Sequence, residues 1–139
     1  MDVFTINAEL SRLQHRIYLN NIDLQTKQEY LERLKRTLNS IDSKLGDFRG
    51  NNQLCTKPEC SRSTFFGNNA DTVEGLRDSD IVPSYKDIAD NQLYGKTDQI
   101  QSKIRELEGD ISALNSSNNT MESSRRTLID RRNEIGRSS

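Results

Sequence analysis

From Leu10 an apolar residue returns at every seventh position: Leu10, Ile17, Leu24, Leu31, Leu38 and Leu45. Three residues behind each stands a second series, Leu13, Asn20, Lys27, Leu34, Ile41 and Phe48. Alternating steps of three and four lay both series on one stripe of an α-helix, the pattern of a coiled-coil seam. A helix of about 40 residues on this pattern is ~60 Å long at 1.5 Å per residue. Thr5 or Asn7 is placed to cap its start, and Gly46 and Gly50 suit its end.

A second ladder follows: Leu93, Ile100, Leu107, Leu114, Met121, Leu128 and Ile135, with companions Thr97, Ile104, Ile111, Asn118, Arg125 and Arg132. The run NSSNNT at 115–120 reads as a loop by composition, yet Leu114 and Met121 keep phase across it. Between the ladders, residues 49–69 hold glycines, asparagines and Pro58, which is loop chemistry. Asn69 is then placed to cap a short helix whose first turn carries Asp71 and Glu74. Pro83 is expected to push Val82 out of the α region and kink or interrupt the helix there.

Two apolar stripes joined by one polar bend close most simply as an antiparallel hairpin. The expected fold is therefore all-α, a single elongated hairpin domain over 1–139. It has a helix over 7–47, a loop over 48–69, a helix over 70–81 and a helix over 84–135. If facing positions sum to about 138, Asn20 meets Asn118 and Leu24 meets Leu114, so polar faces polar inside the seam.

Composition fits this picture. Only 32% of residues are hydrophobic, or roughly 37% with the seven glycines, below the roughly 45–50% of globular domains. Such a chain can bury a narrow seam but not a broad core, and a two-helix seam invites completion by another helix. The net charge of −1 comes from interspersed signs, which excludes the basic face that nucleic-acid binding needs. The arginines after Arg125 are mixed with Glu122, Asp130 and Glu134 and read as a solvated helix end. No segment approaches the ~20 apolar residues of a membrane span. MDVFTINAEL lacks a basic, then apolar, signal pattern, so a cytoplasmic origin without a cleaved signal is expected.

Catalytic, metal and cofactor chemistry is not expected. His15 is the sole histidine and has no carboxylate or thiol cluster beside it in sequence. Cys55 and Cys60 in LCTKPECS are spaced too widely for a zinc knuckle and lack two further ligands. They are reduced loop thiols, or a short disulfide if the protein reaches an oxidising compartment. No phosphate-binding glycine loop or nucleophile motif is present.

Phe65, Phe66 and Gly67 lie in the polar bend. The rings can staple the end of the seam or project as a partner anchor, and Gly67 permits the turn. A long helix, a bend with an aromatic-x-Gly and a second long helix resemble the WXG superfamily of type VII secretion proteins. The chain is most similar to the small helical proteins found beside LXG toxins in Gram-positive bacteria. Phe65 stands where that superfamily has Trp, and Gly67 matches its Gly. Tyr94 and Asp98 have the spacing of the family's tail motif but lie ahead of the second ladder.

The resemblance implies a non-catalytic partner or targeting factor. It would bind the N-terminal helical domain of an LXG toxin, with a second small helical protein or its own copy as further partners. It would support export by a type VIIb system, with co-export to the cell surface. By position in the seam, Leu10, Leu13, Ile17, Met121 and Leu128 are the expected partner contacts, and Phe65, Phe66 and Gly67 the bend motif. A self-associating structural coiled coil and a prefoldin-like chaperone are the competing readings. The second would need β-hairpins that residues 49–69 do not pattern.

Overall fold

The computed structural model describes residues 1–51 and 68–138, except the side chains of Asn68 and Ala70. The chain is an all-α helical hairpin. Helix α1 runs from Val3 to Gly50, and the second arm opens with α2, Asn68–Leu76. Next come a π-helical segment, Arg77–Ile81 (π1), then α3, Val82–Asp87, and a second π-helical segment, Ile88–Leu93 (π2). The arm ends with α4, Tyr94–Ser138. The Phe65, Phe66, Gly67, Cys55 and Cys60 readings lie outside the described residues.

Helix α1 begins earlier than the expected Thr5 or Asn7 cap. Asp2 takes that role: its carboxylate accepts the Thr5 backbone N–H at 2.7 Å. That bond, with the Thr5 hydroxyl, holds the Asp2 carboxyl below its ordinary value. Asn69 likewise does not cap α2 but lies inside it, since the helix starts at Asn68.

Two compact units are present, Met1–Arg33 with Ile104–Ser139, and Leu34–Lys103. In the first, the seam holds most of the buried apolar side chains among the described residues: Ile6, Leu10, Leu13 and Leu24 from α1, and Ile104, Leu107 and Met121 from α4. A fully buried side chain of this kind contributes about 1.5–3 kcal/mol. The strands of sequence run antiparallel, and polar pairs mark the register. Asn20 Nδ2 donates to Asn118 Oδ1 at 3.0 Å, and Asn118 Nδ2 donates to Asn21 Oδ1 at 3.0 Å. Arg132 donates to Asn7 Oδ1 at 3.0 Å. Asn20 thus meets Asn118 as the spacing predicts.

NSSNNT is helical throughout. Its weak intrinsic preference is overridden because Leu114, Asn118 and Met121 all have seam partners to reach. Thr120 hides its own hydroxyl by donating to the Ser116 carbonyl at 3.1 Å.

The second unit is packed more thinly. Ala89 and Thr97 are its buried residues among those described. Phe48 stacks on Tyr85 with ring centroids 4.0 Å apart and planes 5° from parallel. The Tyr85 hydroxyl donates to the Phe48 carbonyl at 2.6 Å. Arg49 pairs with Asp90 at 3.2 Å.

The π segments explain why this unit departs from the ladder. Continued backwards from Thr97 and Leu93, the heptad places Asp90 and Lys86 in the seam. Instead Ala89 is buried and Tyr85 half-buried, while Asp90 and Lys86 are exposed. One residue is absorbed in π2, which turns two charges outward and an alanine and an aromatic ring inward. Asp87 accepts from Asn91, four residues on, at 2.5 Å, and the wider turn also brings Gln92, five residues on, to it at 3.1 Å. Those two bonds hold its carboxyl below the ordinary value.

Upstream, π1 corrects the expectation at Pro83. Val82 stays in the α region, at φ −63° and ψ −46°, and its N–H reaches five residues back to the Arg77 carbonyl. Pro83 lacks an N–H and its ring would collide with the carbonyl four residues earlier. A π turn directly before it moves that carbonyl aside, so the helix continues where an α turn would have broken.

Candidate protein-binding site

Within the first unit a groove of about 530 Å³ opens between α1 and α4. Glu9, Arg12 and Leu13 form one wall, and Thr120, Ser123, Ser124, Thr127, Leu128 and Arg131 the other, with Met1 at the rim. The α4 wall is shallow because its edge carries small residues at steps of three and four. It is also less polar than its composition suggests. The Thr127 hydroxyl donates to the Ser123 carbonyl at 3.1 Å and Thr120 is satisfied in the same way, so both are turned into their own helix. The floor is apolar: Leu13 is buried and Leu128 half-buried. Glu9 and Arg12 are hydrogen-bonded across one turn of α1, and the guanidinium lowers the carboxyl's pKa. Arg131 lies on the facing rim. The groove is open to water along its length, a shape for a helix or an extended chain.

The five residues expected at a partner interface prove to be shared differently. Leu10, Leu13 and Met121 are buried against the opposite helix, and Ile17 and Leu128 are half-buried. They close the hairpin on itself, because a side chain that fills the seam cannot also face outward. Of the five, Leu13 and Leu128 line the groove.

A second surface has no counterpart among those residues. On α1, Phe4 is 83% exposed, Tyr18 62% and Ile22 47%, with Leu19 and Tyr30 also exposed. At 3.6 residues per turn, Ile22 lies about five full turns beyond Phe4, and Leu13 about two and a half turns from each. Phe4, Tyr18, Leu19 and Ile22 therefore form an outer stripe opposite the seam, with Tyr30 on its flank. The alignment of Phe4 with Ile22 was visible in the sequence, but the seven-residue seam is the stronger pattern. His15 is exposed on the same stripe.

Among the described residues, no three His, Cys, Asp or Glu side chains gather as a metal set, and no helix is long and apolar enough to cross a membrane. Comparison with protein-family models, curated proteins and solved structures returns no match.

Proposed function

We propose that this chain acts by binding rather than by catalysis, as the helical partner of another helical protein. The observation that carries the reading is the groove between α1 and α4, floored by Leu13 and Leu128 and edged by the small residues of α4. Small residues let a third helix approach closely, and an apolar floor supplies the driving force. Arg131 on the α4 rim, facing a wall where Arg12 is already paired with Glu9, favours a partner with an acidic flank on that side. On the resemblance of Phe65, Gly67 and the two-helix architecture to the WXG superfamily, the partner is the N-terminal helical domain of an LXG toxin. The role is then to cover that domain and support its export through a type VIIb system.

The test is co-purification of the tagged full chain with the N-terminal domain of an LXG protein encoded beside it. The wild type should retain that domain. Ser124→Trp, which fills the groove from an exposed position without touching the seam, should lose it while keeping its helical circular dichroism. Retention of the domain by Ser124→Trp would overturn the assignment of the groove, and failure of the wild type to bind would overturn the reading of the partner.

A further inference from the structure

The groove floored by Leu13 and Leu128 has a continuation. A second cavity of about 330 Å³ opens in the same unit, lined by Asp23, Lys27, Asp110, Ala113 and Leu114. Spacing puts both cavities on one flank of the seam. On α4, Asp110, Ser117, Ser124 and Arg131 recur at sevens, as do Ala113, Thr120 and Thr127. On α1, Glu9, Arg16 and Asp23 do the same. Residues seven apart on a heptad-paired helix keep one direction along the whole seam. The two cavities are therefore stretches of one furrow. Between its charged ends the α4 edge is Ala113, Ser117, Thr120, Ser124 and Thr127, none larger than threonine.

Charge distinguishes the two ends. In each cavity the α1 wall carries an ion pair of its own, Glu9 with Arg12 in the first and Asp23 with Lys27 at 3.1 Å in the second. Each pair closes within one turn of α1, so its two charges nearly cancel at a distance. The α4 wall adds Arg131 to the first cavity and Asp110 to the second. Neither has a hydrogen-bond or ion-pair partner among the described residues. Arg16, also unpaired among them, stands seven residues beyond Glu9 and adds to the cationic half. The furrow is thus positive toward Arg131 and negative at Asp110. Those two lie three heptads apart, ~31 Å along the helix.

On the reading that the groove receives a helix, we infer that its occupant is a heptad-patterned helix of about six turns, carrying a carboxylate at one end of its α4-facing flank and a basic side chain three heptads away. Walls that recur at sevens stay in phase with a helix along their length. An extended chain turns its side chains over every two residues and loses the match within one heptad. A helix with the two charges so placed meets Arg131 and Asp110 together, whereas one charged alike along its flank is repelled at one end.

Titration calorimetry of the full chain with the N-terminal domain of the adjacent LXG protein tests it. Ala113→Trp fills the second cavity, ~16 Å along α4 from Ser124, and should raise the dissociation constant at least about tenfold, as loss of a central contact does. Asp110→Lys and Arg131→Glu should each weaken binding several-fold, with an effect that shrinks as salt is added. Ala113, Asp110 and Arg131 are exposed in the single chain, so all three variants should keep their helical circular dichroism. If the wild type binds and Ser124→Trp does not, while Ala113→Trp binds as the wild type, the occupant ends at the first cavity and the inference falls with the groove intact. Unchanged affinity in both charge variants would overturn the charge pattern. A wild type that does not bind the domain would overturn the reading of the partner, and the inference with it.

Discussion

Replacing Asn118 tests how the seam fixes its register. Asn118 makes two cross-helix hydrogen bonds, accepting from Asn20 at 3.0 Å and donating to Asn21 at 3.0 Å. A net hydrogen bond contributes about 0.5–1.5 kcal/mol, so Asn118→Ala removes about 1–3 kcal/mol of gross interaction. Two effects reduce the observed cost. Asn20 is half-buried and Asn21 exposed, so both abandoned amides regain water. Alanine also favours helix over asparagine by roughly half a kcal/mol. The expected net loss is about 1 kcal/mol, read as a lowered urea midpoint with unchanged slope.

The double variant Asn20→Leu, Asn118→Leu should move the other way. It replaces a polar layer by an apolar one between Ile17–Met121 and Leu24–Leu114, and should gain about 1–3 kcal/mol from burial and helix preference. It should also lose specificity, since leucine layers at sevens fit equally well when slipped by one heptad. A single-alanine variant as stable as wild type, or a double-leucine variant less stable than it, would refute the idea that these asparagines hold register at a cost in stability.

Other consequences are as direct. The Thr97 hydroxyl is buried in the second unit and has no hydrogen-bond partner among the described residues. Thr97→Val keeps the shape and removes the orphan, so stability should rise by about 1 kcal/mol, measured by urea titration. Asp2 has its pKa lowered in the folded chain by the Thr5 N–H. Its contribution is therefore complete above the unfolded value, near pH 4, and is lost as pH falls through the lowered folded value. Asp2→Asn keeps a capping oxygen that does not titrate, so its melting temperature should fall less than wild type between pH 5 and about pH 2. Because buried apolar residues concentrate in the first unit, amide exchange should protect Leu10–Leu24 and Ile104–Met121 longer than Leu34–Phe48 and Arg77–Thr97.

The seam was legible because its period is long and unbroken: Leu10 to Leu45 and Leu93 to Ile135 never miss a step. Register was legible because Asn20 and Asn118 each interrupt their stripe and a buried amide must find a partner. The π segments were harder to see. They leave helix content unchanged and betray themselves only where Lys86 and Asp90 fall on seam positions that Tyr85 and Ala89 fill better. Pro83 misled because its penalty applies to an α turn, and the chain supplies a π turn. At the N-terminus the ladder's first leucine drew attention past Asp2, although an acidic residue three places before Thr5 is a good cap. The burial of Leu10, Leu13 and Met121 in the seam has a related reason. A strong apolar period reveals which residues are buried, and the first burial available to them is their own second helix. What faces outward is the weaker strip that seam residues leave behind, at Phe4, His15, Tyr18, Leu19 and Ile22.

The antiparallel closure of α1 on α4 carries everything else, since the groove and the outer stripe exist only if the seam is filled from within the chain. It is tested by pairing Asn20→Cys with Asn118→Cys in the Cys55→Ser, Cys60→Ser background, beside a control pairing Asn20→Cys with Ile111→Cys, one heptad out of register. Under mild oxidation the first pair should form an intramolecular disulfide in monomeric chains, identified by the linked tryptic peptides, and the control should stay reduced. Linkage of the control, or only interchain linkage of the first pair, would contradict the account.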